Sequence, residues 1–492
     1  MDRTYLLSSW AYVHPLSRWM FGLLLLLGGG ATLRAGEPSN EPRPLVLGPV
    51  TVIDVLPGHA VPDQGILIEG DRITAVAPMD ELVIPPSAQR VDTTGQFAIP
   101  GLWDMHVHWY AQDTMKLFPI NGVTGVRVMW GNFMHHAWRK AFEKGERLGP
   151  RMLIASAIID GPQPIWPGSI VAADAEGGRK AVAQAIRSQS DFAKVYSLLP
   201  REAYFAIAEE ANAQQLPFDG HVPMLVSPRE AAEAGHRCME HMYELLLACS
   251  SEEDSLREMQ LKLVEAEGRV AALRNSDVRR DVAKRALDTY DEQKAQELFS
   301  VFVQHDTWHC PTLTVLRNLA HLSEPEVRDN PNLRYLPASM LNYLAPNADR
   351  FGTEAARKFN QLTLQAKYRV LAQMQAAGVR LLAGTDVLNP YCLPGFSLHG
   401  ELALLVDKVG LTPAEALRTA TIHPAIFQGR EAELGSIEPG KLADLVLLTQ
   451  NPLEDIRATN RINSVIMAGH RYTRAELDGM LEELEAANRE DQ

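Results

Sequence analysis

Two patterns of hydrophobic and polar positions divide the chain. Residues 45–100 consist of short runs in which apolar and polar residues alternate, separated by turns such as Gly70-Asp71. This alternation is typical of half-buried β-strands and hairpins. The same pattern returns in residues 429–475. A few short strands bury little surface by themselves. We therefore predict that the two stretches together form one composite β-sandwich domain.

Between these stretches, short β-branched runs alternate with helical segments rich in Ala, Glu and Lys. Eight strands are predicted, and they end at or near His108, Met129, Ala155, Tyr196, His221, His241, Thr314 and Asp386. Strand–helix alternation repeated eight times predicts an α/β fold, a (β/α)8 TIM-like barrel spanning residues 101–428. Such barrels keep their active sites where the strands end, and polar residues fall at these positions here.

Two segments inside the barrel region lack any strand pattern. Residues at about 250–306 and 322–370 are long, charged and rich in helix-favouring residues. We interpret both as helical insertions on the barrel's loops that form a lid or a dimer surface. Most of their charged residues are expected to belong to a solvated helical face.

The first 35 residues are predicted to be a signal peptide. An apolar run over residues 19–27 follows Arg3 and Arg18 and precedes a cluster of small residues. The run is shorter than the roughly 20 residues that span a membrane, and its length suits a signal-peptide core. We therefore expect an exported protein, periplasmic or extracellular. The alternative is that this segment is not cleaved and anchors the protein in a membrane.

Composition narrows the range of partners. The 492 residues carry a formal net charge of -14, whereas nucleic-acid binding requires a basic face, so no nucleic-acid partner is expected. The four cysteines form no Cys-x-x-Cys pair, and the sequence contains no Gly-x-Ser-x-Gly motif. It therefore gives no signal for a zinc finger, a disulfide framework or nucleophilic catalysis.

His106 and His108 alternate with a valine at the end of the first predicted barrel strand. Residues i and i+2 of a strand point to the same face, so both imidazoles would enter one cavity. This spacing suits a pair of metal ligands. Taken alone, the pair could equally be two unrelated histidines on a half-exposed strand. Residues at the ends of the other strands are needed to distinguish these two interpretations.

Lys194, His221, His241 and Asp386 belong to later predicted strands, in barrel order. Lys194 stands in the apolar run Phe192-Ala193-Lys194-Val195, where a bare ammonium is costly to bury. It either reaches the surface, pairs with a carboxylate, or reacts with carbon dioxide to give an anionic carbamate that bridges two metals. Each histidine alone is a weak signal, but the ordered set is specific.

Six short motifs along the chain carry a resemblance to a known family. They are Pro100-Gly101-Leu102-Trp103-Asp104-Met105-His106-Val107-His108, Lys194-Val195-Tyr196, Gly220-His221-Val222, Glu240-His241, Gly384-Thr385-Asp386, and residues 435–446 near the C-terminal end. Together they resemble the amidohydrolase superfamily, in particular its imidazolonepropionase-like and prolidase-like (Xaa-Pro dipeptidase-like) branch. The resemblance extends from about residue 50 to residue 472 and implies a metal-dependent barrel with a composite β-sandwich.

By position, this resemblance implies a centre with two divalent metal ions. His106, His108 and Asp386 would hold the more buried ion, and His221 and His241 would hold the other. Zinc suits histidine and carboxylate-type ligands, and manganese or cobalt would suit them as well.

The resemblance also assigns the chemical roles. Lys194, present as N6-carboxylysine, would bridge the two ions together with a hydroxide. Asp386 would act as general base toward that hydroxide's proton and would later protonate the leaving amine.

Three further residues are candidates for contact with the substrate. Tyr196 lies two residues after Lys194, on the same strand face, and is predicted either to hydrogen-bond the substrate or simply to pack. Tyr243, two residues after His241, is a weaker candidate of the same kind. His399 matches a feature of this branch and is expected to support the loop after the eighth strand.

The leading hypothesis is a binuclear metal-dependent hydrolase that cleaves an amide or peptide C–N bond. Its substrate would be a small-molecule amide, with a dipeptide or N-acyl amino acid of Xaa-Pro type as best guess. One alternative is a mononuclear deaminase or cyclic-imide hydrolase of the same superfamily, which does not need Lys194. The remote alternative is a non-catalytic binding protein. A homo-oligomer is compatible with the sequence.

Overall fold

The computed structural model describes residues 43–274, 276–342, 344 and 353–490. The predicted signal peptide over residues 1–35 lies outside these ranges and therefore stays a prediction, as does the alternative of an anchor. Within the described ranges, no helix combines the length and the apolar composition needed to cross a membrane.

One sheet of eight strands combines both ends of the described chain. Numbered in chain order, its strands are β1 (Leu45–Asp54), β2 (His59–Glu69), β3 (Arg72–Pro78), β4 (Gln89–Val91), β5 (Phe97–Pro100), β15 (Leu445–Leu448), β16 (Ile462–Met467) and β17 (His470–Thr473). The order is β17-β16-β15-β5-β1-β2-β3, with β4 paired to β1. Antiparallel pairing of β5 with β15 places Ile99 opposite Val446 and joins the two ends. Leu47, Ile66 and Leu445 are buried in the core of this sheet.

Parallel strands form the wall of the second unit of structure. They are β6 (Leu102–Val107), β7 (Val123–Val128), β8 (Arg151–Ile154), β11 (Ala193–Val195), β12 (Phe218–Gly220), β13 (Cys238–Glu240) and β14 (Trp308–Cys310), with the short β9 (Ile159–Asp160) and β10 (Ile170–Val171) beside β11. Their pairing is parallel throughout, as strands that alternate with helices require.

The eighth predicted strand, residues 379–386, is not a regular strand, and isolated bridges connect this stretch to its neighbours. Leu381 bridges to His309 of β14, and Val387 bridges to Val107 of β6, both in parallel. A third parallel bridge, from Ala155 to Phe192, connects β8 to β11. These bridges link the eight segments in the order of the predicted (β/α)8 barrel.

Helices cover the outside of the parallel strands. They are α1 (Leu117–Ile120), α2 (Phe133–Glu143), α3 (Ala175–Arg187), α4 (Arg201–Ala213), α5 (Pro228–Glu233), α6 (Leu245–Ala248), α7 (Glu253–Glu267), α8 (Arg269–Arg274), α9 (Ser276–Asp288), α10 (Glu292–Gln304), α11 (Leu313–Ala320), α12 (Pro325–Arg328), α13 (Glu354–Ala376), α14 (Phe396–Leu404), α15 (Pro413–Ala420), α16 (Ile422–Phe427) and α17 (Arg474–Glu490). Short 3-10 turns cover Gln112–Thr114, Pro331–Tyr335 and Ile456–Asn460, and a π-helical turn covers Leu405–Val409.

Local sequence explains where several of these helices begin. Ser227 and Glu230 form a capping box at the start of α5, and Thr412 and Glu415 do the same for α15. In both helices a proline occupies the first turn, where its missing N–H costs no hydrogen bond. These starts orient helices that pack against the barrel strands.

The two predicted insertions are helical, with α7 to α10 in the first and α12 and α13 in the second. They are more than a solvated layer, because α10 buries Phe299 and Phe302 and α13 buries Leu364 in the main core. Leu256 of α7 and Val282 of α9 form a small core of their own. Both insertions therefore pack as integral parts of the structure.

Candidate metal centre

Four of the predicted ligands converge at the end of the barrel. The Nε2 atoms of His106 and His108 lie 3.3 Å apart, and each lies 3.4 Å from Asp386 Oδ1. His241 Nδ1 lies 3.9 Å from the other carboxylate oxygen of Asp386. His106 and His241 are buried, whereas 19% of the His108 side chain remains exposed. The strand alternation therefore brings both histidines of the first motif to one point.

The two remaining predicted ligands adjoin this group. The ring of His221 lies 4.8 Å from the ring of His241, centroid to centroid, and stacks on Tyr196 at 4.0 Å. Lys194 is fully buried in β11, one residue before Val195, which pairs with Gly220. Burial lowers the pKa of Lys194, and the nearby carboxylates of Glu240 and Asp386 oppose that shift.

Unusual backbone conformations aim the side chains of this site. His241, Asp386 and Thr312 all have left-handed backbone, with φ of 61°, 58° and 51°. Residues other than glycine are uncommon in this region of φ, and each such residue costs about 1–3 kcal/mol. The surrounding structure stabilises three of them within one small site, which is typical of functional sites.

Hydrogen bonds fix the orientation of three of the histidine rings. The Nδ1 atom of each ring has a partner at 2.7 Å, namely Glu240 Oε2 for His106, Ser197 Oγ for His221 and Thr312 Oγ1 for His241. Ring orientation by a partner on one nitrogen is typical of histidines that bind metal through the other. Sequence reasoning did not identify these partners, although Glu240 stands directly before His241.

The residues present fit a metal centre. The Nζ of Lys194 and the Oδ1 of Asp386 are buried and have no hydrogen-bond partner among the described residues. Burial lowers the pKa of His106, His221 and His241 well below the usual range, so their rings are neutral and can donate a lone pair. Ligand atoms of His106, His241 and Asp386 all lie within 4.8 Å of one another. A bound cation would satisfy the unpartnered Asp386 oxygen beside neutral imidazoles, whereas Lys194 could be a ligand only once its Nζ carries a carboxylate.

A second group with ligand spacing, His106, Glu240 and Cys310, fits a cation less well. Glu240 already accepts hydrogen bonds from His106 and from Arg127. Burial raises the pKa of the Cys310 thiol well above its usual value.

Arg127 holds the carboxylates beneath the site in place. Its fully buried guanidinium donates to Glu240 Oε1 at 2.6 Å, to Asp219 Oδ2 at 3.1 Å and to the carbonyl of Met105 at 2.7 Å. Glu240 in turn holds the ring of His106. The arginine therefore neutralises two buried acids and connects β7 to the strand that carries the first histidine pair. Sequence reasoning did not find this role.

Replacing Arg127 with methionine is expected to lower the free energy of unfolding by about 3–5 kcal/mol, because two buried carboxylates lose their counter-charge. Urea denaturation followed by circular dichroism would measure this change. Arg147→Met is the control, since Arg147 forms an exposed pair with Asp113 at 2.7 Å and should leave stability within experimental error. Equal stability of the two variants would contradict the role of Arg127.

The three predicted substrate contacts have different locations. Tyr196 accepts a hydrogen bond from Trp166 Nε1 at 2.9 Å, and burial raises the pKa of its phenol well above the usual value. Tyr243 packs 4.8 Å from the ring of His221 and lines the same cavity as Tyr196. His399 lies elsewhere, with Nδ1 2.9 Å from Thr459 Oγ1. It does not line this cavity, so the structure does not bring it to the centre.

A cavity of 1520 Å³ opens onto the centre and is lined by His108, His221, His241 and Asp386 on one side. Pockets for small molecules usually measure about 300–1,000 Å³. The space is therefore larger than a small dipeptide requires.

Fold and site together define a barrel protein with a histidine- and carboxylate-lined centre at the ends of its strands. The sequence profile of the Amidohydrolase family matches residues 97–471, which is more than half of the chain. The chain belongs to this family, whose members generally use divalent metal ions.

Relatives and solved structures agree with this assignment. Imidazolonepropionase of Symbiobacterium thermophilum is 40% identical over 86 residues, which are 18% of this chain and 20% of that protein. The match thus covers about a fifth of the relative. Bottromycin amidohydrolase has a TM-score of 0.68 at 23% identity, covering 93% of this chain and 95% of the other. A Xaa-Pro dipeptidase with bound methionine has a TM-score of 0.63 at 19% identity, covering 87% and 100%. These structures confirm the predicted fold class.

Proposed function

We propose that this protein is a metal-dependent hydrolase that cleaves an amide or peptide C–N bond. The observation that carries the proposal is the pair of buried, unpartnered atoms Lys194 Nζ and Asp386 Oδ1 beside neutral histidine rings. This set contains ligands for a divalent cation and a carboxylate base for activating water. Similarity to proteins named for amide and peptide hydrolysis supports the same reaction class.

The residues divide naturally into two sets of ligands. His106, His108 and Asp386 would hold one divalent cation, and His221 and His241 a second. Lys194, carboxylated on Nζ, would serve as a ligand to both, and the cations would neutralise the buried carbamate anion that replaces its ammonium. Two such cations, zinc in our proposal, would polarise the scissile carbonyl and lower the pKa of water.

The chain's own groups would then move the protons. Asp386 lies within 3.4 Å of both His106 and His108, so it can accept the proton of the attacking water. The same carboxyl would return this proton to the leaving amine as the C–N bond breaks, so the proton inventory balances. Trp166 donates to the Tyr196 oxygen, which leaves the phenolic O–H free to donate to the substrate carbonyl.

The experiment that tests the function is a screen of dipeptides and N-acyl amino acids, including Xaa-Pro types, with metal-loaded protein. Amide cleavage is expected, with loss of activity on chelation and recovery when divalent metal is restored. Release of ammonia or opening of cyclic imides, without peptide cleavage, would overturn the proposal. Protein without bound divalent metal and without turnover would favour a binding protein instead.

One second candidate has an observation in its favour. The stretch that is 40% identical to imidazolonepropionase supports a hydrolase for a cyclic substrate. In this alternative a single metal would suffice, and Lys194 would not be required. We also propose that the protein is exported, on the basis of the predicted signal peptide.

A further inference from the structure

The cavity above the centre has a second wall, built by the helical insertions. Residues of α7, α9 and α13 line it opposite the histidines, and most of them are apolar, including Leu263, Val282 and Phe359. Two cationic side chains, Arg279 of α9 and Lys367 of α13, line the same space. An apolar pocket with a few charged groups usually positions its ligand through those groups.

Lys367 stands close to the catalytic end of this cavity. Its Nζ lies 6.0 Å from the ring centroid of Tyr243, and that ring lies 4.8 Å from the ring of His221 and 5.2 Å from that of His241. The ring of Tyr243 is therefore a neighbour both of the Lys367 ammonium and of two predicted metal ligands. Arg279 packs its guanidinium 5.0 Å from the ring of Phe359 and is near enough to affect the charge of Lys367.

No carboxylate of the described residues forms an ion pair with Lys367. Glu244, an acid in the lining, lies 3.8 Å from Arg257 and accepts a hydrogen bond from Gln260 at 3.3 Å. Burial, and then the positive charge of Arg279, lower the pKa of Lys367 to about 8. The ammonium of Lys367, which faces this apolar cavity, would be stabilised by an anion that enters it.

We propose that Lys367 forms an anion subsite that binds a free carboxylate of the substrate. This inference rests on the proposed amide hydrolysis and narrows it to amides of amino acids with an unblocked carboxylate. In an N-acyl amino acid, the carboxylate carbon lies about 3–4 Å from the scissile carbonyl carbon, because the amide nitrogen and the α-carbon separate them. The apolar remainder of the 1520 Å³ cavity would hold a large acyl group, with Trp130 and Trp166 among its walls.

The test compares two substrates with the same tertiary amide, N-benzoyl-L-proline and N-benzoyl-L-prolinol, which lacks the carboxylate. For metal-loaded Lys367→Met, we expect KM for the proline compound to rise about tenfold or more, with kcat within twofold of wild type. The prolinol compound should react as it does with wild type, and Lys367→Arg should restore most of the affinity. If Lys367→Met raised KM equally for both substrates, or for neither, the subsite proposal would be wrong.

Lys358→Met is the matched control, because it removes the same charge from the same helix. Lys358 pairs with Glu354 at 2.6 Å on the exposed side of α13 and does not line the cavity. It should leave KM unchanged for both substrates. A rise in KM equal to that of Lys367→Met would assign the effect to net charge and overturn the proposal.

A binding measurement separates failure of the subsite from failure of the proposed function. Calorimetric titration with N-benzoyl-D-proline and N-benzoyl-D-prolinol needs no turnover. If Lys367→Met bound N-benzoyl-D-proline more weakly than wild type does, but bound N-benzoyl-D-prolinol equally well, the result would support the subsite even if no amide were cleaved. Unchanged affinity for the carboxylate would overturn it, whether or not the enzyme hydrolyses amides.

Discussion

Lys194→Ala is expected to lower the bound metal from two ions per chain to one and to abolish hydrolysis. The Lys194 side chain is fully buried, and its Nζ has no hydrogen-bond partner in the described structure. If the carbamate of Lys194 is a ligand to both cations, alanine removes the one side chain that the two ions are proposed to share. Elemental analysis by mass spectrometry and turnover of the best substrate from the screen would measure the two effects.

Two companion variants make the result for Lys194 decisive. Lys194→Met keeps most of the buried volume, so a loss of metal in this variant cannot come from a cavity. Lys180→Ala removes an exposed lysine that pairs with Glu176 at 2.5 Å, and it should retain both metals and full activity. A fully active Lys194→Ala protein with one metal per chain would contradict the two-metal proposal and favour the cyclic-substrate alternative.

The sequence was enough to predict that the ligands converge, because that prediction needs only the alternation of side chains along a strand and the order of the strands in a barrel. Alternation along β6 was enough to place His106 and His108 on one face. Parallel strands in a barrel end on one rim, so Asp386 could be expected near them although it is almost 300 residues away. Lys194, His221 and His241, which the order of the predicted strands also indicated, belong to the same end of the barrel.

Other features of the site depend on tertiary contacts that no local pattern reveals. The left-handed backbone of Thr312 depends on the surrounding structure, because a β-branched residue disfavours it. Arg127 looked like an ordinary strand residue until Asp219 and Glu240 were seen beside it. Each partner comes from a different strand, so the charge network appears only when the barrel is assembled.

The helical insertions show the same limit at a larger scale. Composition predicted their helices and suggested a mainly solvated surface, but it could not show which charged residue faces inward. Lys367 lies in the interior-facing part of α13, whereas Lys358 of the same helix pairs with Glu354 on the exposed side. The distinction depends on where α13 packs against the rest of the barrel.

Asp386→Asn is expected to lower kcat/KM by about 10²–10⁴, because the amide cannot take a proton from the attacking water. The substitution keeps the size of the side chain and one oxygen that can still coordinate a cation. In the native protein, Oδ1 lies 3.4 Å from both His106 Nε2 and His108 Nε2 and has no hydrogen-bond partner among the described residues. This position leaves the oxygen available to metal and water together.

Metal content decides whether Asp386 acts as a base or only as a ligand. An Asn variant that retains both metals and still loses activity would support the general base. A loss that follows the loss of metal, and that added metal reverses, would assign Asp386 to metal binding alone. Asp160→Asn is the control for removing a buried carboxylate, since Asp160 accepts backbone hydrogen bonds from Leu198 and Ile165 and does not line the cavity. It should reduce stability while keeping kcat/KM within about tenfold of wild type, because its carboxylate serves the loop and does not meet the substrate.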